Sequence, residues 1–196
     1  MSIRNGLLAL LADGPEYGFA LKKQFEERTA ELWPLNVGQV YTTLGRLVRD
    51  GLVDEVAATG DSKSESGGDA GQREYRLTER GRDELAEWIR SPRPRDVPDR
   101  DELVIKIVLA EGLDGVDLLD IVDEQRAVST EALQRLTRQK AAIDPTDIGR
   151  VLALDAVILQ VEAELRWLDL CEARVLAAGR SGPEGSGGVS VRGRRR

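Results

Sequence analysis

The order of patterned segments between residues 3 and 89 limits what this chain can fold into more than any other feature. An apolar stripe of Ile3, Leu7, Leu8, Leu10 and Leu11 stops at Asp13-Gly14-Pro15, where glycine and proline together end a helix. A second helix is predicted from Tyr17 to about Leu32, with Phe19, Leu21 and Phe25 set among Lys22, Lys23, Glu26, Glu27 and Arg28, until Trp33-Pro34 breaks it. Asn36 can cap a third helix, whose Val40, Leu44, Leu47 and Val48 form an inward face at helical spacing before Asp50-Gly51 ends it. Leu52 to Val56 and Glu74 to Leu77 then read as a pair of short antiparallel strands, and Thr78 caps a helix running through Leu85 and Trp88 to Ile89. Three helices, two strands and a helix in this order predict a winged helix-turn-helix with a two-stranded wing.

That arrangement assigns the outward face of the third helix to nucleic acid. Gln39, Thr42, Thr43 and Arg46 project away from the apolar face, and their short or forked donors and acceptors suit base edges and phosphates in a major groove. Lys22 and Lys23 on the second helix, Arg46 and Arg49 on the third, and Arg73 and Arg76 on the second strand supply candidate phosphate contacts. Bulk charge does not help: the chain carries a formal charge of -7, and residues 1 to 91 hold 12 Lys and Arg against 16 Asp and Glu. Phosphates respond to the side chains within roughly 10 Å at ordinary salt, so attraction has to come from a local basic face and should be strongly salt-sensitive.

Composition excludes other classes. The chain has no histidine, which removes Ser-His and Cys-His nucleophile pairs, HExxH zinc sites and imidazole switches. Asp114, Asp117, Asp120 and Asp123 recur every third residue, but Val116, Leu118, Leu119, Ile121 and Val122 lie between them, so they read as the solvated side of an amphipathic helix starting near Asp114. No catalytic residue, metal site or cofactor is therefore expected. No apolar run approaches the roughly 20 residues of a membrane span, no secretory leader pattern opens the chain, and Cys171 is the single cysteine. These point to the cytoplasm, with Cys171 packed in a helix.

Ser91-Pro92-Arg93-Pro94-Arg95, with Pro98 after it, predicts a stiff linker over 92–100 between a DNA-binding domain over 1–91 and a helical region over 101–178. That region reads as a helix over 101–111, a second over about 115–143, and a third starting at Asp144-Pro145-Thr146. In the third, Val151, Leu154, Ile158, Val161, Leu165 and Leu168 alternate spacings of three and four, a coiled-coil seam. A long antiparallel helix hairpin follows, which leaves one side of each stripe to cover. A second copy of the chain is the favoured cover, giving a homodimer; the other reading folds the hairpin back on its own DNA-binding domain. Residues 179–196, rich in Gly and Ser and ending in Arg192, Arg194, Arg195 and Arg196, are expected to be a disordered basic tail.

Leu7-Leu8-Ala9-Leu10-Leu11, Gly14-Pro15, Tyr17-Gly18-Phe19-Ala20-Leu21, Gly38-Gln39-Val40-Tyr41-Thr42-Thr43-Leu44, Gly51-Leu52-Val53 and Tyr75-Arg76-Leu77-Thr78-Glu79-Arg80-Gly81 together resemble the PadR family of bacterial transcriptional regulators. The C-terminal region resembles the longer, helical type of the family through Leu103, Lys106, Arg126 and Glu164-Leu165-Arg166-Trp167-Leu168. The resemblance implies a dimeric repressor of double-stranded DNA, relieved when a small-molecule effector changes the spacing of its two wings. It adds Gly38 and Tyr41 to the DNA-facing set, which Asn36 joins at the start of the third helix, although Tyr41 also has a packing reading under that helix. It further implies an effector site near an aromatic residue, with Trp88 or Trp167 the candidates, its ligand open. The wing loop departs from relatives, which are often basic there, in carrying Asp61, Glu65 and Asp69. A winged helix docking a basic protein, without DNA, is the competing function.

Overall fold

A computed structural model of the chain describes residues 3–57, 73–93, 101–111 and 113–180. The expectations for the wing tip, for most of the linker and for the basic tail fall outside those residues. Two compact units emerge: residues 1–98 with 140–156, and residues 99–139 with 157–196.

In the first unit the order is α1 (Ile3–Leu11), β1 (Glu16–Tyr17), α2 (Gly18–Arg28), α3 (Val37–Arg49), β2 (Val53–Ala57), β3 (Arg73–Leu77) and α4 (Glu79–Arg90). β2 and β3 pair antiparallel with Val53 opposite Leu77 and Glu55 opposite Tyr75. β1 adds to the far edge of β3, so the sheet order is β1-β3-β2 and the expected wing pair gains a third, two-residue strand. Glu16-Tyr17 is too short to show any alternation, which is why it is invisible before the fold brings it to β3.

α1 is apolar on most of its surface and buries Leu7, Leu8, Leu10 and Leu11 at the centre of the unit. Leu21 and Phe25 of α2, Val40, Leu44 and Leu47 of α3, Leu52 and Val53, Tyr75 and Leu77, and Leu85 of α4 close around it. Phe19, on the same helix, is 63% exposed and stands outside the core that Leu21 and Phe25 join.

α2 also ends four residues earlier than its pattern suggests. Ala30 and Glu31 take left-handed φ angles of 53° and 58°, and the Glu31 N–H donates to the Glu26 carbonyl at 2.7 Å. This closure resembles a glycine-terminated helix end, here built without glycine. α3 ends in the ordinary way, with Gly51 at φ 70° and the Leu52 N–H returning to the Leu47 carbonyl at 3.0 Å.

The second unit is built from α5 (Glu102–Ala110) and most of α6 (Leu118–Ala141) and α7 (Ile148–Arg180). α6 and α7 run antiparallel, tied by Arg126 to Asp169 at 3.3 Å and to Glu172. Ile107, Val122 and Leu168 form the core, flanked by Leu103, Leu118, Ile121, Trp167 and Cys171. Helix starts differ from the sequence reading. Asp117 accepts the Leu119 N–H at 2.8 Å and begins α6, leaving Asp114 outside the helix. Asp144 accepts both the backbone N–H and the hydroxyl of Thr146, so Asp144-Pro145-Thr146 is a turn and α7 begins only at Ile148.

Of the six seam residues, Leu154 and Leu168 have no exposed surface in the single chain, while Val151, Ile158, Val161 and Leu165 are half-buried. Two of the six seam positions are thus covered within the chain, and the other four keep part of their surface. The large apolar side chains left facing solvent lie elsewhere, among them Ile105, Val108 and Leu109 on α5 and Leu159, Leu170 and Leu176 on α7.

Candidate nucleic-acid interface

α3 is positioned from both ends. At its start the Asn36 side chain accepts the Gly38 N–H at 2.8 Å. Ahead of that, the Glu26 carboxylate on α2 accepts the Leu35 N–H at 2.8 Å, fixing the turn between the two helices. Lys22 donates to the same carboxylate at 2.6 and 2.7 Å. The Lys22 ammonium and the Leu35 N–H hold the Glu26 carboxyl below its ordinary value of 4.5.

Below the helix, Val40, Leu44 and Leu47 are completely buried. Tyr41 is half-buried; a side-chain carbon on Gly18 would lie 2.6 Å from its ring, so the ring fills space that only glycine leaves open. Its ring thus packs with the core.

The opposite face holds Gln39, Thr42, Arg46 and Arg49 exposed, with Thr43 half-buried at its edge. Thr42 and Thr43 donate their hydroxyls to the Gly38 and Gln39 carbonyls, each at 2.7 Å. Their hydroxyl oxygens therefore remain available as acceptors while their methyl groups can meet a thymine methyl.

The basic candidates fall into two groups. Lys22 is paired with Glu26, Lys23 with Glu27 at 3.6 Å, and Arg73 with Glu55 at 3.1 Å. Arg46, Arg49 and Arg76 are exposed and, among the described residues, have no carboxylate partner within 4 Å. The candidates without a carboxylate partner are thus two on the C-terminal half of α3 and one on β3. Arg49 belongs to this set because it falls one helical repeat beyond Thr42. Phe19 and Val37, exposed at the starts of α2 and α3, are the side chains that sequence reasoning left out. Only their exposure distinguishes them, and an apolar pattern reads the same for a core residue and a solvent-facing one.

The two candidate effector tryptophans are in different units: Trp88 is exposed near the end of α4, and Trp167 is half-buried beside Leu168 on α7. Cys171 packs against the same core, where burial pushes its thiol above the ordinary range.

A helix-turn-helix with a strand pair, whose third helix is buried on its apolar face and carries arginines without carboxylate partners on its outer face, defines a winged-helix DNA-binding protein. Residues 7–87 match the model of the transcriptional regulator PadR-like family, and residues 100–175 match that of the virulence activator alpha C-terminal domain. The chain belongs to the PadR-like family of transcriptional regulators. It is 22% identical over 176 residues to the negative transcriptional regulator PadR of Bacillus subtilis, covering 85% of this chain and 93% of that one. Among solved structures, Bacillus subtilis PadR in complex with operator DNA superposes with a TM-score of 0.69 at 20% identity, over 89% of this chain and 99% of that one. The same protein in complex with p-coumaric acid gives 0.68 at 21% identity, over 88% and 98%. The Vibrio cholerae virulence activator AphA gives 0.65 at 21% identity, over 90% and 99%. No described helix is long and apolar enough to cross a membrane.

Proposed function

We propose that this chain is a sequence-specific repressor that binds operator DNA as a homodimer in the cytoplasm, performs no catalysis, and is released by a small-molecule effector. The observation that carries the reading is the outward face of α3, where Gln39, Thr42, Arg46 and Arg49 stand exposed above a fully buried Val40, Leu44 and Leu47. Gln39, Thr42 and Thr43 read base edges, while Arg46, Arg49 and Arg76 hold phosphates. Asn36 and Gly38 shape the helix start, and Tyr41 sets the angle between α2 and α3. Lys22, Lys23 and Arg73 reach phosphates only by leaving their carboxylate partners, which makes them secondary contributors. A relative bound to operator DNA and another state of it bound to p-coumaric acid support both halves of the proposal.

For self-association the supporting feature is α5, a nine-residue helix that leaves Ile105, Val108 and Leu109 between 45% and 66% exposed. Apolar faces of this kind on one short helix are normal at an interface and unusual on a free surface. Residues 1–91 are assigned to DNA and 101–178 to dimerisation.

Fluorescence anisotropy with the upstream intergenic DNA of its own gene, against a scrambled duplex and at two salt concentrations, tests the reading. The expected result is preferential, salt-dependent binding at one dimer per site, lost in Arg46→Glu with the dimer intact. Equal affinity of the wild type and Arg46→Glu for both duplexes would instead favour a winged helix that docks protein.

A further inference from the structure

Within the second unit a cleft of about 500 Å³ opens between the start of α5 and the middle of α7. Leu103, Val104 and Val161 line its apolar part together with the Trp167 indole. Its charged lining residues are Glu164 and Asp101, with no lysine or arginine among the lining residues. Both carboxylates are held in place. One Glu164 oxygen, Oε1, accepts the Ser129 hydroxyl at 2.5 Å and the Gln125 amide at 3.1 Å, and Ser129 itself is 4% exposed. Asp101 uses Oδ1 to accept the N–H groups of Leu103 and Val104 at 2.9 and 3.3 Å. In each case the second carboxylate oxygen has no hydrogen-bond partner among the described residues.

Two hydrogen-bonded carboxylates, an indole and apolar side chains lining one cleft without basic residues are complementary to one chemistry. We propose that this cleft binds a protonated aryl-alkyl amine, its ammonium between Glu164 and Asp101 and its ring against Trp167. The ammonium gains the carboxylate oxygens left without a partner, while the ligand ring gains the indole and the apolar side chains of Leu103, Val104 and Val161. An aryl carboxylate of the same size would meet like charge at the polar end. The preference is opposite in sign to that of p-coumaric acid, the acid bound in the solved complex of the relative. This inference rests on the effector reading above and gives it a ligand class and a site.

The test is isothermal titration of the full-length protein, without DNA, using tyramine and tryptamine as cations and p-coumarate as the anion of matched ring. The expected result is heat and quenching of tryptophan fluorescence with the amines, and affinity for p-coumarate weaker by about tenfold or more, the scale of one charge-assisted contact. Glu164→Gln should weaken the amines by about the same factor. If that variant loses its fold by circular dichroism, Asp101→Asn, which keeps the helix cap, takes its place. Trp167→Phe should abolish the quenching.

Several results would overturn the site: no heat with either amine, p-coumarate binding as tightly as the amines, or amine affinity unchanged in both carboxylate variants. So would dissociation of the dimer by Val104→Glu, since the cleft would then be covered by the second copy. Anisotropy on operator DNA separates this site from the effector reading. Amines that bind and leave DNA affinity unchanged keep the site and remove the effector role; DNA release by other compounds, with no amine binding, does the reverse.

Discussion

At the residue scale, the family-like motif around Thr78-Glu79-Arg80-Gly81 has a steric cause. A side-chain carbon on Gly81 would fall inside contact distance of the Leu52 carbonyl oxygen and of the Leu77 side chain, so α4 packs on the β2 entrance only because position 81 has none. The backbone carbonyl cannot move aside without breaking its bond from the Thr78 N–H at 3.0 Å. Gly81→Ala is expected to destabilise the protein by about 2–3 kcal/mol, as overpacking against backbone does, measured by urea unfolding. Glu26 gives a pH signature. Its folded pKa lies below the ordinary 4.5, so its contribution is complete above that value and is lost as pH falls through the lower folded value. Urea midpoints taken downward from pH 6 should fall less steeply below about pH 4.5 in Glu26→Gln than in the wild type, after correction for its lower plateau. Gly81 was recognisable in the sequence as part of a motif; the reason for it was not, because Leu52 is remote in the chain and meets it only after folding.

At the element scale, α3 was legible almost to the residue. Its apolar spacing, its Asn36 cap and its Asp50-Gly51 end are all local signals, and local signals survive into the fold. α2 was not, because its end depends on two non-glycine residues in left-handed backbone that no propensity favours. Glu31 is exposed and its N–H already closes the helix onto Glu26, so Glu31→Gly removes the strain and keeps the bond. Relief of the left-handed strain, less the entropy glycine adds to the unfolded chain, should leave a gain of about 0.5–1 kcal/mol in unfolding free energy; a loss would mean that the entropy outweighs the strain. The hairpin helices repeat the lesson. α6 buries Val122, Ser129 and Leu136 seven residues apart, a heptad interrupted by one hydroxyl, which donates to Glu164 and accepts from the Gln125 amide. The polar break weakened the pattern in the sequence, and its partner sits on the other helix.

At the scale of the whole molecule, the seam predicted for dimerisation is partly consumed inside one chain. Leu168→Ala should therefore act on stability, by about 2–5 kcal/mol, and leave the association of whatever remains folded unchanged. Val108→Glu and Leu109→Glu together should act the other way, giving monomers by sedimentation velocity with native circular dichroism, since neither side chain contributes to the buried core. Monomers would also bind a single half-site weakly, which anisotropy on full and half operators would report.

From the sequence alone came the winged-helix order, the exposed polar face of α3, the helix hairpin and the family, because each is written in short-range periodicity, capping and turn residues. Tertiary structure alone decided which cations are free and which are already paired, that Phe19 faces solvent while Phe25 does not, that Leu154 and Leu168 of the seam are covered within the chain, and that Glu164 and Trp167 share a cleft with α5. Those outcomes depend on pairings between residues far apart along the chain, and burial and charge compensation acquire their values only when such residues meet.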